Sequence, residues 1–345
     1  MTSITFRCDG ATLPEIGTGH VIRDITLANA FVALGISRKE DILFAVRQEG
    51  AYSVGADIIR RSGFSSLSCS DIELDPQGPF EGETLSNTGA ELIIFDRLET
   101  DRTTIRGARA KKARIVSFDD QGSGGASVDL VVNAILSSDL DESERHLQGY
   151  RYFILPEDTP MWRQRKGPVK RIFVSFGGYD RNNFSGQFLN AISSLCPGAR
   201  VDVIVGEVEG ETLKTLTEKT VMFAKGNVFL HHRPKNFSAF IDAADMAVVA
   251  GGLTIFQCVA AGLPAIGFSQ YEHQRNTLAR LAECGAIENG DYYTHGDNVF
   301  VDSVNKLLSS DNLRRRLSEN CTRTLDNEGL SRVVAAIKKL LGREV

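Results

Sequence analysis

The stretch 247–262 constrains this chain most. Ala247, Val248, Val249 and Ala250 form an apolar run of strand length, and Gly251 and Gly252 break it. Thr254, Ile255, Phe256, Val259 and Ala260 then recur at helical spacing until Gly262. The pattern predicts a strand, a tight turn and a helix start. Glycine lets backbone N–H groups approach a ligand, and the helix N-terminus adds partial positive charge. Such a corner suits a phosphate or diphosphate. The bland alternative is an ordinary strand–helix corner of an α/β domain, since glycine corners are common.

The same design recurs along the chain. The run 171–175 is a buried strand ending in Phe176-Gly177-Gly178, and Phe184, Phe188, Leu189, Ile192 and Leu195 mark the helix after it. Near the start, a strand over 3–8 leads into Asp9-Gly10-Ala11 and then Gly17-Thr18-Gly19-His20. Val21, Ile25, Ala28, Phe31, Val32 and Leu34 give the next helix, which Gly35 ends. Further strands are expected at 41–46, 91–96, 114–118 and 128–132, with helices over 55–62 and 103–112. Alternation of this kind implies a parallel sheet covered on both faces, hence the α/β class. A length of 345 residues suggests about two domains. They are expected over 1–145 and 169–345, joined by a linker at 146–168 whose Trp162 packs at the seam.

His20 is the first candidate for chemistry. At a helix start the dipole disfavours imidazolium, so the ring can accept a proton near neutral pH. The competing reading is a histidine that only caps the loop. Arg23 lies within one turn of it. Asp96 ends a strand, where parallel sheets present ligand-facing groups, although turn capping is the commoner use of such a residue. Asp119-Asp120 are adjacent and point different ways, and Asp139-Leu140-Asp141 falls in a polar loop, so no metal site is expected. His231 and His232 also diverge as neighbours. His232 in that loop is a candidate contact to a base or ribose. His273 and Gln274 are placed in a loop beyond the strand at 264–267, where ligand-contacting groups belong.

A net charge of −5 gives no reason to expect nucleic acid as a partner. No apolar run approaches the ~20 residues of a membrane span, and the N-terminus lacks a run of signal-peptide length. The six cysteines form no C-x-x-C pair and read as reduced thiols of a cytoplasmic protein.

Four motifs taken together carry a resemblance. They are Arg7-Cys8-Asp9-Gly10 with Gly17-Thr18-Gly19-His20-Val21-Ile22-Arg23, then Ser175-Phe176-Gly177-Gly178-Tyr179-Asp180, Ala250-Gly251-Gly252-Leu253-Thr254, and Asn327-Glu328-Gly329-Leu330-Ser331-Arg332. On these the chain resembles the GT-B enzymes that act on nucleotide sugars, in particular the pseudaminic-acid-pathway hydrolases and the spore-coat polysaccharide proteins. The resemblance implies two Rossmann-like domains with a cleft between them and a last helix crossing back to the first. It implies a nucleotide sugar, UDP-linked foremost, as the partner, with neither cofactor nor metal. His20 would be the base that activates water at the anomeric carbon, and His273 a second acid–base group. Gly177, Gly178, Gly251, Gly252, Leu253 and Thr254 would hold the diphosphate; Asp9, Gly17, Gly19, Arg23, His232, Gln257 and Gln274 would complete the binding set. Gln257 stands where the family has glutamate, and His273 where it has asparagine. The implied activity is hydrolysis of a nucleotide-activated amino or deoxy sugar in surface polysaccharide or nonulosonic-acid-type biosynthesis. A glycosyltransferase using the same donor site and a non-catalytic nucleotide-sugar binder are the alternatives.

Overall fold

The structure is a computed structural model that describes residues 1–13, 16–135, 143–178, 180, 182–195, 198–206, 210–223, 227–292 and 297–343. The pair Asp139 and Asp141 and the motif residue Tyr179 lie outside the described residues. The chain divides into two compact units, Met1–Pro156 with Asn327–Val345, and Glu157–Asp326.

The first unit is a seven-stranded parallel sheet. Its strands are β1 (Ile4–Cys8), β2 (Ile42–Ala45), β3 (Ser65–Ser66), β4 (Leu92–Asp96), β5 (Arg114–Phe118), β6 (Leu130–Asn133) and β7 (His146–Gln148). The order is β3-β2-β1-β4-β5-β6-β7. The helices α1 (Gly19–Ala33), α2 (Ser53–Arg61), α3 (Glu81–Asn87) and α4 (Arg102–Ala108) connect them. β1 and β4 are buried at every residue, as central strands of a covered parallel sheet must be, which is why they read as unbroken apolar runs. Phe6 and Phe44 stack at 5.0 Å on one face. Ile93, Phe95, Ile105 and Ile115 build the core of the other.

The second unit repeats the design with six parallel strands. They are β8 (Arg171–Ser175), β9 (Arg200–Val205), β10 (Val228–His232), β11 (Met246–Ala250), β12 (Ala265–Ser269) and β13 (Glu288–Tyr292), in the order β10-β9-β8-β11-β12-β13. Around them lie α5 (Phe184–Leu195), α6 (Gly210–Phe223), α7 (Phe237–Ala243), α8 (Leu253–Ala260), α9 (Glu272–Glu283), α10 (Asp297–Ser309) and α11 (Asp311–Thr324). Val174, Phe188, Val203, Val248, Phe268 and Phe300 belong to one continuous core. The last helix, α12 (Gly329–Leu340), belongs to the first unit.

Both sheets reverse their strand order at one place, between β1 and β4 and between β8 and β11. The connections leave in opposite directions there, so a crevice opens at the carboxyl ends of those strands. Cys8 pairs with Asp96 at the first reversal and Ser175 with Val249 at the second. All four motif loops but the last leave from these strand ends.

Three local expectations differ from the structure. β7 lies inside the stretch read as linker and pairs with β6 through Val131 and His146. Trp162 packs on the second unit itself: its Nε1 donates to the Ser318 carbonyl at 3.0 Å, and its ring covers Gly262. His273 and Gln274 stand in the first turn of α9 rather than in a loop. The polar run Glu272-His273-Gln274-Arg275 hides the helix start, since it carries no apolar periodicity.

Candidate active site

In the first unit, β4 ends in Asp96 and α1 begins two residues before Val21, so the helix start faces the strand end. The His20 Nδ1 and Asp96 Oδ1 are 2.6 Å apart. Arg23, one turn along α1, donates from Nε to Asp96 Oδ2 at 2.6 Å and from one terminal nitrogen to Oδ1 at 2.5 Å. Its other terminal nitrogen donates to Asp119 Oδ2 at 2.5 Å. The Asp119 backbone takes a left-handed φ of 48°, a conformation that aspartate tolerates better than most residues. Its second oxygen accepts from the Ile135 N–H at 2.9 Å.

Burial pushes the Asp96 carboxyl up, but the Arg23 guanidinium and the His20 ring outweigh it and hold the group well below the usual carboxylate range. Asp96 is therefore an acceptor only, and His20 must present an N–H at Nδ1. That fixes the tautomer and leaves the Nε2 lone pair as the basic site. The Asp96 side chain is wholly buried, whereas 23% of the His20 side chain is accessible. A half-buried imidazole held by a buried carboxylate can serve as an oriented general base. In the sequence Asp96 reads foremost as a turn cap, and Asp119 carries no expected role. The only local signal was an acid at a strand's carboxyl end.

Asp9, expected to bind ligand, is part of a buried ion chain. It accepts from the Arg47 N–H at 3.0 Å and the Arg47 Nε at 2.9 Å, and it contacts Arg7 at 3.0 Å. Arg7 continues to Glu81 at 2.5 Å, and Arg97 closes on Glu81 at 2.7 Å. Burial raises the Asp9 carboxyl, and Arg7 and Arg47 more than reverse this, so it stays ionised. Gly10 is required by packing, because a Cβ there would lie 2.9 Å from Val21 and 3.0 Å from Gly55. Gly17 and Gly19 have open space where a Cβ would point. α1 has no side-chain cap and no acid in its first turn, so its first N–H groups carry no internal anion.

In the second unit the two glycine corners leave β8 and β11, neighbours at the reversal. Gly177 has a φ of 85°, which favours glycine, and open space beside it. Gly178 supports Gly206, whose Cβ would meet its carbonyl at 2.5 Å. Asp180 accepts from the Phe184 and Ser185 N–H groups at 2.8 and 2.7 Å and so caps α5. Gly251 and Gly252 differ. A Cβ at Gly251 would lie 3.0 Å from both Gln274 and Leu278, whereas at Gly252 the nearest atom is 4.0 Å away. Gly252 is the N-cap of α8, which has neither a side-chain cap nor an acid in its first turn. Leu253 and Thr254 are half-buried at that open end.

Gln274 is buried and accepts from the Gln270 N–H at 2.9 Å, while Gln270 donates to the Phe176 carbonyl at 2.5 Å. The two glutamines thereby tie the β12 end to the β8 end. Gln257 is buried, with its amide 3.5 Å from the Thr159 hydroxyl. His232 is exposed at the end of β10, the edge strand, two strands away from β8. His231 is bound to Asp202 at 2.8 Å. His273 lies near the N-terminus of α9; its side chain lies outside the described residues. The structure thus gathers Gly177, Gly178, Gly251, Gly252, Leu253, Thr254 and Gln274 at one reversal and His20 and Arg23 at the other. His232 stands apart from both.

Among the described residues no group of three or more His, Cys, Asp or Glu could hold a metal ion, and no helix is long and apolar enough to cross a membrane. Cys8, Cys69, Cys258, Cys284 and Cys321 are free thiols.

No family model matches the chain. A Methanocaldococcus jannaschii protein is 24% identical over 283 residues, 76% of this chain, and the chain spans only 54% of that relative. The spore coat polysaccharide biosynthesis protein SpsG of Bacillus subtilis is 22% identical over 96% of this chain and 97% of its own length. Among solved structures, Acinetobacter baumannii MurG matches with a TM-score of 0.71 at 13% identity, covering 98% of this chain and 100% of that one. The spinosyn rhamnosyltransferase SpnG, complexed with thymidine diphosphate, matches at a TM-score of 0.61 and 15% identity, over 97% and 100%. Anabaena HepE in complex with UDP and glucose matches at 0.59 and 11%, over 99% and 100%. Two parallel sheets that each reverse at one place, shared with these structures over nearly the whole chain, give this protein the GT-B fold, and along its length it is similar to a spore coat polysaccharide biosynthesis protein.

Proposed function

We propose that this chain is an enzyme of polysaccharide biosynthesis that displaces a nucleoside diphosphate from a nucleotide-activated amino or deoxy sugar. In this reading the amides around Gly177, Gly178, Gly252, Leu253 and Thr254 hold the diphosphate and steady the charge that grows on it. His20 Nε2 takes the proton of the nucleophile as its oxygen bonds to the anomeric carbon and the bond to the phosphate oxygen breaks. The observation that carries the reading is the His20 Nδ1 contact to an ion-paired Asp96, which leaves Nε2 as a base. The similarity in fold to structures that hold UDP or thymidine diphosphate supports the donor class.

Water as nucleophile makes the enzyme a hydrolase. An acceptor hydroxyl makes it a glycosyltransferase, and the likeness to a rhamnosyltransferase favours this second reading as much as the first. A panel of UDP-, CDP- and GDP-sugars, assayed with and without Mg²⁺ for release of nucleoside diphosphate, decides the matter. Release is expected with at least one donor, and His20→Ala should lower it by about 100-fold or more. Turnover that needs an added acceptor marks the transferase. Tight binding without turnover on any donor would reduce the protein to a binder.

A further inference from the structure

Asp24 has no part in the chemistry above, yet it is buried at the centre of the first site. It follows Arg23 on α1, one helical turn after His20, and is 0% exposed. Neither carboxyl oxygen meets a donor with hydrogen-bond geometry, and the one donor group beside it that is not already on another carboxylate is a thiol, a weak one. Its neighbours are the Cys8 thiol of β1, the Asp96 carboxylate of β4 and the Arg23 guanidinium of its own helix.

A buried carboxylate without donors is costly enough that such groups usually neutralise instead. The local charge count agrees. With Asp24 ionised, three carboxylates (Asp24, Asp96 and Asp119) would face the single guanidinium of Arg23. Arg23 spends its donors on Asp96 and Asp119. Two adjacent carboxylates cannot hydrogen-bond each other, whereas a carboxylic acid donates strongly to a carboxylate. Asp96, held by Arg23 and His20, is the better anion of the two, so the shared proton belongs on Asp24. Burial, then repulsion from Asp96, raises the Asp24 carboxyl well above its usual range, in agreement with the geometry.

We propose that Asp24 is carried as a neutral carboxylic acid that donates a hydrogen bond to Asp96 and so positions the carboxylate that orients His20. Asp24 is a positioning residue, acting through Asp96; this second half rests on His20 being the base.

One arm of the test needs no substrate. Asp24→Asn keeps the shape and a donor without a titrating group. Above about pH 4 the unfolded aspartate has lost its proton while the folded one keeps it, so rising pH favours unfolding of the parent. The Asn variant escapes this. Its Tm should exceed the parent's by several degrees at pH 7, and the gain should vanish as pH falls to about 4. A Tm difference independent of pH, or a Tm loss at neutral pH, overturns the neutral acid. The infrared difference between parent and Asp24→Asn at pH 7 should show a protonated-carboxyl C=O band that shifts in D₂O. Carboxylate bands in its place overturn the proposal as well.

The second arm uses the donor that the panel identifies. Asp24→Leu removes the donor and should lower kcat about tenfold at little change in KM, with the acid limb of the kcat/KM profile moved upward. Asp24→Asn should rescue both. A parental profile in Asp24→Leu overturns the positioning role. Absence of turnover in the parent counts against the enzymatic reading, and the first arm still decides the neutral acid.

Discussion

Asp96 serves two partners at once, and its replacement separates them. Asp96→Asn leaves a neutral amide that can donate as well as accept, so the His20 ring is no longer held to one tautomer. It also removes half of the charge that balances the buried Arg23, whose remaining carboxylate partner is Asp119. Breaking a buried pair on one side costs about 3–5 kcal/mol. The variant should therefore lose stability by denaturant titration and lose at least about 100-fold in kcat, with KM little changed, on the identified donor. A kcat within threefold of the parent would remove Asp96 from the mechanism. The place of His20 at a helix start was legible in the sequence because its signal is local: a glycine loop followed by an apolar helix. Asp96 and Asp119 were not, because they meet Arg23 across 73 and 96 residues of chain. The ion pairs of Asp9 were hidden for the same reason, as its partners Arg7 and Arg47 come together only when β1 and β2 pair.

The paired glycines of the β11–α8 corner look equivalent as letters and are not equivalent as an element. Gly251 lies against α9, whose Gln274 and Leu278 would have to give by a few tenths of an ångström to admit a methyl group. Gly251→Ala should cost about 1–3 kcal/mol through overpacking. Gly252 has an ordinary extended backbone, with φ −97°, and free space beside it. Gly252→Ala should change stability by less than about 0.5 kcal/mol. Its added methyl stands at the open end of α8, so UDP affinity measured by calorimetry should fall about tenfold or more if the diphosphate docks there. Equal stability losses in both variants would show that packing alone explains the pair. Elements with strong apolar periodicity were readable before the structure: β1, β4, β8, β11, α1 and α8. The polar α3 (Glu81–Asn87), the amphipathic but mostly polar α6 and the strand Glu288–Tyr292 were not. Tertiary contacts hold these elements, whose own residues carry a weak pattern or none.

At the scale of the whole molecule, the chain leaves the first unit at Pro156 and returns to it at Asn327. The returning helix is amphipathic, and Val333, Val334 and Ile337 are buried in the first unit. Gly329 at its start is lodged against Phe153, where a Cβ would lie 2.1 Å from the carbonyl oxygen. Arg343 donates to the Ile36 carbonyl and the Thr2 hydroxyl, which ties the end of the chain to its beginning. Each fully buried aliphatic side chain contributes about 1.5–3 kcal/mol. Removal of 327–345 should thus withdraw more than about 4 kcal/mol from the first unit and uncover an apolar strip along α1. The second unit closes its own core with Phe300, Leu307, Leu313 and Leu317 of α10 and α11. Native-state hydrogen exchange on the truncated chain should therefore show lost protection in β1, β2 and β4, with β8, β11 and β12 unchanged. Equal loss in both units would mean that their stabilities are coupled through the last helix, and that the division at Asp326 is one of contacts and not of folding.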